Sequence, residues 1–321
     1  MITIGSSGAS GTGLEGAAGP RPRVVVLGTG IMGGAMARDL IRAGLRVDVW
    51  DRRPEATGRL TKAGATAYVG PDKAVAHADV VIMMTPDAAA LTSVAIGQGM
   101  LAALRQGTIW AQMGTIGVRA TQQLAAGVAD QRSDVLFVDA PVSGTRQPAE
   151  AGQLLILASG PESTRAVLAP VFGAIGSRTL WLGEAGAGSR LKLVLNTWLA
   201  FLMEGIAESM ALADTIGVDH QALRDALQGS PVNSPVALLK LAKIDAGDES
   251  PDFSLRWATK DLDLALAEAG DRTLPVAAAI DHRWHALVEA GLGQADVSAV
   301  RQGLGEAAVK AEVAADRADP K

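Results

Sequence analysis

Short apolar runs alternate with stretches of helical periodicity through the first half of the chain. The run at residues 24–27 is typical of a buried parallel strand. After it, Ile31, Ala35, Met36 and Leu40 fall on one stripe of a helix. Further strand-like segments are "LRVDVW", "ATAYV", "ADVVIMM", "GTIWA" and "VLFVDA". The alternation predicts a parallel sheet covered by helices.

Between these strands the pattern predicts helices near residues 54–63 and over about residues 87–104. Two more strand-like segments, "QLLILAS" and "SRTLWLG", flank a helix around residues 162–172. We expect these two strands to extend the same sheet. From Gly188 onward the strand signals stop and only helical patterns remain.

The first segment of this helical half begins "GSRLKLVLNTWLAFLMEG" and is long enough to span roughly 40 Å at 1.5 Å per residue. Its apolar run is interrupted by Lys192, Asn196, Glu204 and Glu208. Because ionisable groups are costly inside a bilayer, we expect a buried interdomain helix rather than a membrane span.

A glycine-rich turn joins the first strand to the first helix. Gly28, Gly30 and Gly33 have the spacing of a dinucleotide fingerprint, in which the first glycine permits the tight turn and the second admits a pyrophosphate. The third lets the helix pack on the strand. An acidic residue is expected about 20 positions later, and Asp51 follows the second strand there. The pattern predicts an α/β fold: a Rossmann-type doubly wound parallel sheet that binds NAD(P) over residues 22–187, then an all-α domain over residues 188–321.

Composition narrows the class of partner. The net charge is −5 and the basic residues are scattered, so we expect no nucleic-acid partner. The chain has no cysteine, which excludes disulfides, thiolate catalysis and cysteine metal sites and fits a reducing cytoplasm. Residues 1–21 lack the basic start and apolar core of a signal peptide, and we expect them to form a disordered extension.

Few side chains are available as proton donors for nicotinamide-dependent chemistry. Tyr68 is the only tyrosine, and Asp72 stands four positions later, so the Tyr/Lys pair of short-chain dehydrogenases is absent. Zinc and aldehyde dehydrogenases need cysteine, which this chain lacks. His282 and His285 lie three apart on a predicted surface helix, and we predict no metal site there.

Lysine remains as the candidate donor. Lys192 and Asn196 are four residues apart and so share one face of a helix that is otherwise apolar. A lysine ammonium beside a carbonyl could donate a proton as hydride arrives, with the asparagine amide fixing its position. Spacing alone equally supports a lysine whose stem packs on the helix while its head reaches water.

Four blocks of the sequence resemble the signature blocks of the β-hydroxyacid dehydrogenase family, in the same order. They are "GTGIMGGAMARDL", "DAPVSGTRQPAEAGQL", "GAGSRLKLVLN" and "FSLRWATKDLDLAL". The resemblance covers residues 23–293. It implies NAD(P)-dependent hydride transfer between a small hydroxy acid and its aldehyde or keto acid. It also implies a homodimer or higher homo-oligomer formed through the helical domain.

The resemblance assigns roles to particular residues. It implies that Lys192 is the catalytic lysine and that Asn196 lies beside it at the substrate. Ser143 and Gly144 match the site that holds a substrate carboxylate. The cofactor-binding positions, from the glycine motif and the resemblance together, are Gly28, Thr29, Gly30, Ile31, Met32, Gly33, Asp51, Arg52, Met84, Thr85, Thr115 and Lys260.

The chain departs from the family pattern at two places. Where the family usually has Asp-x-Ser-Thr, residues 112–115 read "QMGT", so Gly114 replaces a serine and we expect a roomier, less polar acyl pocket. Thr145 replaces a glycine after "PVSG". The run "GTRQPAEAGQLLIL" resembles the glyoxylate and succinic semialdehyde reductase branch more than the hydroxyisobutyrate branch.

Two alternative functions stay open, as does the choice between NAD and NADP. Imine reductases share the fold but usually replace the lysine, and a catalytically silent nucleotide-binding module does not need one, so Lys192 disfavours both. The segment "VWDRRP" does not decide between NAD and NADP: Asp51 suits a ribose 2′-hydroxyl, whereas Arg52 and Arg53 could pair with a 2′-phosphate.

Overall fold

The computed structural model describes residues 21–304. The disordered extension predicted for residues 1–21 lies, up to residue 20, outside the described residues. Within residues 21–304, no helix combines the length and the apolar character that a membrane crossing requires.

Six parallel strands form the central sheet, in the order β3-β2-β1-β4-β5-β6. The chain starts in the middle, at β1, winds outward to β3, and then crosses back to β4 on the other side of β1. Crevices at such a reversal point are where doubly wound sheets bind ligands. The strands are β1 (Arg23–Leu27), β2 (Arg46–Trp50), β3 (Thr66–Ala67), β4 (Val80–Met83), β5 (Ile109–Gln112) and β6 (Leu136–Asp139).

Helices cover both faces of this sheet, as the alternating pattern predicts, and the central strands β1, β4 and β5 are buried on both sides. The helix expected over residues 87–104 is broken, since the chain forms a π-helical turn at Ser93–Gly97 and Gly99 has a φ of +71°. The helices of this half are α1 (Ile31–Arg42), α2 (Gly58–Lys62), α3 (Pro71–Val75), α4 (Ala88–Thr92), α5 (Met100–Ala103), α6 (Val118–Gln131), α7 (Arg146–Glu150) and α8 (Arg165–Ile175).

A second, three-stranded sheet follows β6. It consists of β7 (Val142–Ser143), β8 (Leu154–Ala158) and β9 (Gly176–Trp181), with β8 antiparallel to β7 and parallel to β9. The expectation that the last two strands extend the main sheet is therefore wrong, although both strands exist. The link between the sheets is a single bridge, Asp139 to Ser159, because β8 takes β7 rather than β6 as its ladder partner.

The rest of the described chain is helical, and the predicted fold class is confirmed. The helix α9 has 30 residues, which gives a length of about 45 Å at 1.5 Å per residue. Its buried side chains pack in one cluster with α12 and α13, around Leu262 and Trp284. The helices are α9 (Ala187–Ile216), α10 (His220–Leu227), α11 (Pro235–Asp245), α12 (Leu255–Ala269) and α13 (Pro275–Glu289).

Candidate active site

The glycine turn between β1 and α1 leaves room for a phosphate group. Gly28 has a φ of +90°, and a Cβ there would clash with the Met84 carbonyl oxygen. A Cβ at Gly33 would clash with the carbonyl oxygen of Gly28. At Gly30, no described atom lies within 4 Å of the position a Cβ would take. Tight packing at the first and third glycines and open space at the second are what an approaching pyrophosphate needs.

The N-terminus of α1 faces the same space. No described side chain caps this terminus, so the N–H groups of its first turn are left for a ligand. Ile31 is about half exposed and Met32 is partly buried against the core, while Thr29 is buried beside the turn. Free N–H groups and the helix dipole favour a bound anion here.

Asp51 is held at the rim of the turn. Its carboxylate accepts hydrogen bonds from the Thr29 N–H at 2.7 Å and from the Arg53 N–H at 2.9 Å. The Arg53 guanidinium lies 3.7 Å from the same carboxylate. Arg52 is exposed and makes no hydrogen bond or ion pair with residues 21–304. An acid and two arginines therefore lie at the rim of the glycine turn, and Arg52 has no partner within residues 21–304.

The loops after β4 and β5 lie against each other. The Met84 N–H donates to the Leu27 carbonyl at 2.9 Å, and the Thr85 hydroxyl is buried without a hydrogen-bond partner in the described chain. A Cβ at Gly114 would clash with the Thr85 carbonyl oxygen. The expectation that Gly114 enlarges an acyl pocket is therefore wrong. Position 114 faces the neighbouring loop, because adjacent parallel strands bring their following loops into contact.

Lys192 lies in the second turn of α9, with Asn196 one turn further on the same face. Lys192 is partly buried and its ammonium makes no hydrogen bond or ion pair within residues 21–304. Asn196 is buried, and its amide donates to the carboxylate of Asp261 on α12. The asparagine is thus fixed by its neighbour, whereas the lysine is free to bind a substrate atom.

Asp261 joins α9 to the nucleotide-binding half. One of its oxygens accepts from Asn196 and the other lies 2.8 Å from the Lys260 ammonium. Lys260 in turn donates to the Thr115 carbonyl, in the loop that follows β5. Four residues from three segments therefore form one polar chain, which joins Lys260 on α12 to Thr115 in the loop after β5.

The surroundings of Lys192 change its acidity. Burial lowers the pKa of Lys192 to about 8, with Lys260 acting in the same direction and Asp261 opposing it. A lysine with a pKa near neutrality exchanges its proton readily at physiological pH. The lowered pKa favours Lys192 as a proton donor over a lysine whose ammonium lies in water.

Ser143 ends β7 and Gly144 follows it with a φ of +134°. The strand packs against α9, the helix that carries Lys192. The Ser143 hydroxyl makes no hydrogen bond with other described residues and is partly exposed, so it is free for a ligand. Gly144 is held tightly, because a Cβ there would meet Leu154 and Pro148 at 2.8 Å and 3.2 Å.

Sequence reasoning missed Asp261, although the block "KDLDLA" contains it. Its signal was a carboxylate directly beside a lysine, followed by an apolar residue that is buried in the helical core. The residue itself is almost fully buried, which for an unpaired acid would be costly. Its partner on α9 could not be found from spacing within one helix.

One group of possible metal ligands occurs among the described residues, between α12 and α13. Asp263 on α12 and Asp281 and His285 on α13 bring their ligand atoms within 4.8 Å of one another. His285 lies 2.9 Å from Asp263, and that hydrogen bond raises the pKa of the imidazole. His285 therefore links α12 to α13 as a histidine–carboxylate pair.

The sequence matches two family models that together cover most of the chain. Residues 23–183 match the NAD binding domain of 6-phosphogluconate dehydrogenase, and residues 186–304 match the NAD-binding domain of NADP-dependent 3-hydroxyisobutyrate dehydrogenase. Glyoxylate/succinic semialdehyde reductase 1 of Arabidopsis thaliana is 32% identical over 277 residues, which are 85% of this chain and 95% of the relative.

Two solved structures resemble the whole fold. The 3-hydroxyisobutyrate dehydrogenase from Salmonella typhimurium superposes with a TM-score of 0.80 at 28% identity, over 87% of this chain and 99% of that one. The Mycobacterium tuberculosis 3-hydroxyisobutyrate dehydrogenase superposes with a TM-score of 0.78 at 30% identity, over 89% and 99%. The family and the NAD(P) cofactor predicted from the motifs are thereby confirmed. The chain belongs to the 3-hydroxyisobutyrate dehydrogenase family of NAD(P)-dependent oxidoreductases.

Proposed function

We propose that this protein interconverts a small hydroxy acid and its aldehyde or keto acid, with Lys192 as the proton donor and acceptor. The observation that carries the proposal is a partly buried lysine with a lowered pKa and no partner within residues 21–304, beside a fixed asparagine. When bound, the nicotinamide supplies or accepts the hydride. The protein's part is to bind, orient and protonate.

In the reductive direction the Lys192 ammonium donates a proton to the carbonyl oxygen as hydride reaches the carbonyl carbon. The products are the hydroxy acid and neutral lysine. In the oxidative direction neutral Lys192 takes the hydroxyl proton. A pKa of about 8 lets one residue serve both directions near neutral pH.

Ser143 and Gly144 hold the substrate carboxylate in this proposal. The free Ser143 hydroxyl and the backbone N–H groups of the turn donate to the carboxylate oxygens. The packing of β7 against α9 supports this assignment, because the strand that ends at Ser143 contacts the helix that carries Lys192. Asn196 would orient the substrate through its amide, which Asp261 holds in position.

The residues around the glycine turn fit a dinucleotide. Open space at Gly30 and the uncapped start of α1 would receive the pyrophosphate, and Asp51 would accept from a ribose hydroxyl. The Thr85 hydroxyl, which has no partner in the described part of the chain, would lie along the nicotinamide side with the Met84 backbone and the Thr115–Lys260 pair. Arg52 would contact a 2′-phosphate if the cofactor is NADP.

The proposed domains are residues 22–187 for cofactor and residues 188–321 for substrate and dimerisation. One face of α9 supports a homodimer: Val194, Trp198, Leu212 and Ile216 are 59% to 64% exposed and lie within about 40° of one another around the helix. Light scattering should give twice the chain's mass, and Trp198→Glu should lower the measured mass.

The cysteine-free composition supports a cytoplasmic location.

A kinetic screen tests the proposal. Purified protein would be assayed with NADH and NADPH against glyoxylate, small semialdehydes and 2-oxo acids, and in reverse with hydroxy acids. Activity that needs both a carboxylate on the substrate and Lys192 supports the assignment. Turnover of cyclic imines but not of carbonyl acids would favour an imine reductase. Tight cofactor binding without any turnover would favour a silent nucleotide-binding module.

A further inference from the structure

The start of α9 is capped by two residues of the nucleotide-binding half. The Asp139 carboxylate, at the end of β6, accepts from the N–H groups of Gly186 at 3.1 Å and Ser189 at 2.8 Å. The Ser159 hydroxyl oxygen, just after β8, accepts from the Gly188 N–H at 3.0 Å. Asp139 and Ser159 are fully buried. Three N–H groups at the end of a 30-residue helix are thus satisfied from outside that helix.

Side-chain hydroxyls complete the shell of the Asp139 carboxylate. The Ser189 hydroxyl donates to it at 2.8 Å and the Ser159 hydroxyl at 3.1 Å. Burial raises the pKa of Asp139, and the bonds from Ser189, Ser159 and Gly186 act against that shift. A buried carboxylate with four donors is costly to disturb, because any lost donor leaves an acceptor without water.

The contact continues into the loop that leads to the site. The Ser189 hydroxyl lies 3.1 Å from the Thr121 hydroxyl, which donates to the Gly117 carbonyl at 2.8 Å. Gly117 is two residues from Thr115, whose carbonyl accepts from Lys260. Two buried polar chains, one from Asp139 and one from Asp261, therefore end in the same loop after β5.

At Gly188 the start of α9 packs closely against β6 and β8. A Cβ at Gly188 would clash with the Leu157 carbonyl oxygen and meet the carbonyl oxygen of Asp139 at 3.1 Å. Lys192 follows Ser189 by three residues, a rise of about 4.5 Å. The direction in which Lys192 points is therefore set by how this end of α9 is held.

We propose that Asp139 is a positioning residue, which sets the register of α9 against β6 and β8 and so aims Lys192 at the substrate carbonyl. The inference rests on the proposed function of Lys192. Asp139 acts through the helix rather than through its charge, since the charges that shift the pKa of Lys192 are Asp261 and Lys260. Misplacing a reacting group by about 1 Å can cost about 10²-fold in rate.

Two substitutions at Asp139 distinguish the effect of the hydrogen bonds that cap α9 from the effect of the negative charge. Asp139→Ala removes both carboxylate oxygens, which accept from Gly186 and Ser189, and we expect kcat to fall by about 10²-fold while KM and cofactor Kd stay within about threefold. Asp139→Asn keeps the shape. Its amide N–H₂ would donate to Ser189, which would turn its proton toward Thr121, so we expect kcat within about threefold of wild type.

Glu204→Gln is the matched control. Glu204 is also a buried carboxylate on α9, but it accepts from Arg283 and Trp284 on α13, twelve residues beyond Lys192. We expect this variant to have a lower Tm than wild type. Its kcat, and the midpoint of the pH dependence that Lys192 causes, should stay at the wild-type values. Asp139→Ala should move that midpoint away from about 8, because the lysine's surroundings change. Should Asp139→Ala not fold, Ser189→Ala removes one donor and is expected to lower kcat less but in the same pattern.

The outcomes are distinct. Loss of kcat with a moved midpoint, rescue by asparagine and a normal control support the positioning role. Wild-type kcat and midpoint in folded Asp139→Ala, or in Ser189→Ala if the former does not fold, would overturn it. Equal losses in Glu204→Gln would overturn it as well, since instability would then explain both. Failure of Lys192 itself would appear separately, as a Lys192→Met protein that keeps its rate.

Discussion

Replacing Lys192 by methionine removes the ammonium while keeping an unbranched side chain that can pack along α9. If Lys192 protonates the carbonyl oxygen, kcat should fall by roughly 10²–10⁴-fold, the usual contribution of general acid catalysis. Cofactor affinity should stay near wild type, because the glycine turn and Asp51 lie on the other half of the chain. If the Lys192 ammonium instead reaches water and takes no part in the reaction, the substitution should leave kcat almost unchanged.

The same substitution should raise the free energy of unfolding. The pKa of Lys192 falls from 10.5 to about 8, which corresponds to about 3 kcal/mol at 1.36 kcal/mol per pKa unit. Below pH 8 the folded and unfolded chains both carry the ammonium, so the full cost of burying it is present. Between pH 8 and 10.5 the folded chain loses its proton first and the cost fades. The gain in Lys192→Met should therefore be largest near pH 7.

Stopped-flow and steady-state assays, denaturant melts at pH 7 and pH 10, and a pH profile of wild-type kcat check both effects. The reductive rate should fall as pH rises through about 8, because the ammonium is lost. The oxidative rate should rise over the same range. A folded Lys192→Met protein that keeps more than a tenth of wild-type kcat would refute the assignment. A methionine variant that is less stable at pH 7 would refute the burial argument.

Three further substitutions test neighbouring positions. Lys260→Met should weaken cofactor binding more than Lys192→Met does, measured by fluorescence titration, because Lys260 holds the Thr115 loop; equal affinities would contradict this. Arg52→Ala should raise KM for NADPH more than for NADH, and parallel effects on both would mean that Arg52 does not contact a 2′-phosphate. Gly114→Ser should lower cofactor affinity and Tm by displacing the Thr85 loop; a change only in the ranking of substrates would restore the pocket hypothesis.

Much of the fold was predictable because its signals are local. The strand-turn-helix of residues 23–42 follows from apolar periodicity and from glycines whose roles depend on their immediate surroundings. The long helix α9 and the pairing of Lys192 with Asn196 on one face follow from a spacing of four. The family resemblance added roles for these residues that spacing left undecided.

Other features depend on which segments meet. The second sheet could not be predicted, since β8 and β9 have strand patterns that are equally compatible with either sheet. Gly114 looked like an opening in a pocket, and the neighbouring loop that fills this space comes from a different strand. Gly99, in the left-handed conformation before α5, interrupts the helix predicted over residues 87–104, although the apolar pattern continues past it.

The residues of the candidate site likewise fall into those that local sequence predicts and those that contacts between distant segments bring together. The parallel sheet, the glycine turn, the helical second half and the lysine are predictable from the chain, because each rests on residues within a few positions of one another. Only the folded chain shows that Asp261 holds both Asn196 and Lys260, and that Asp139 caps the helix of Lys192 from 50 residues away. Periodicity reports which face of an element is buried, whereas the partners of a buried polar group are chosen by the packing of distant elements.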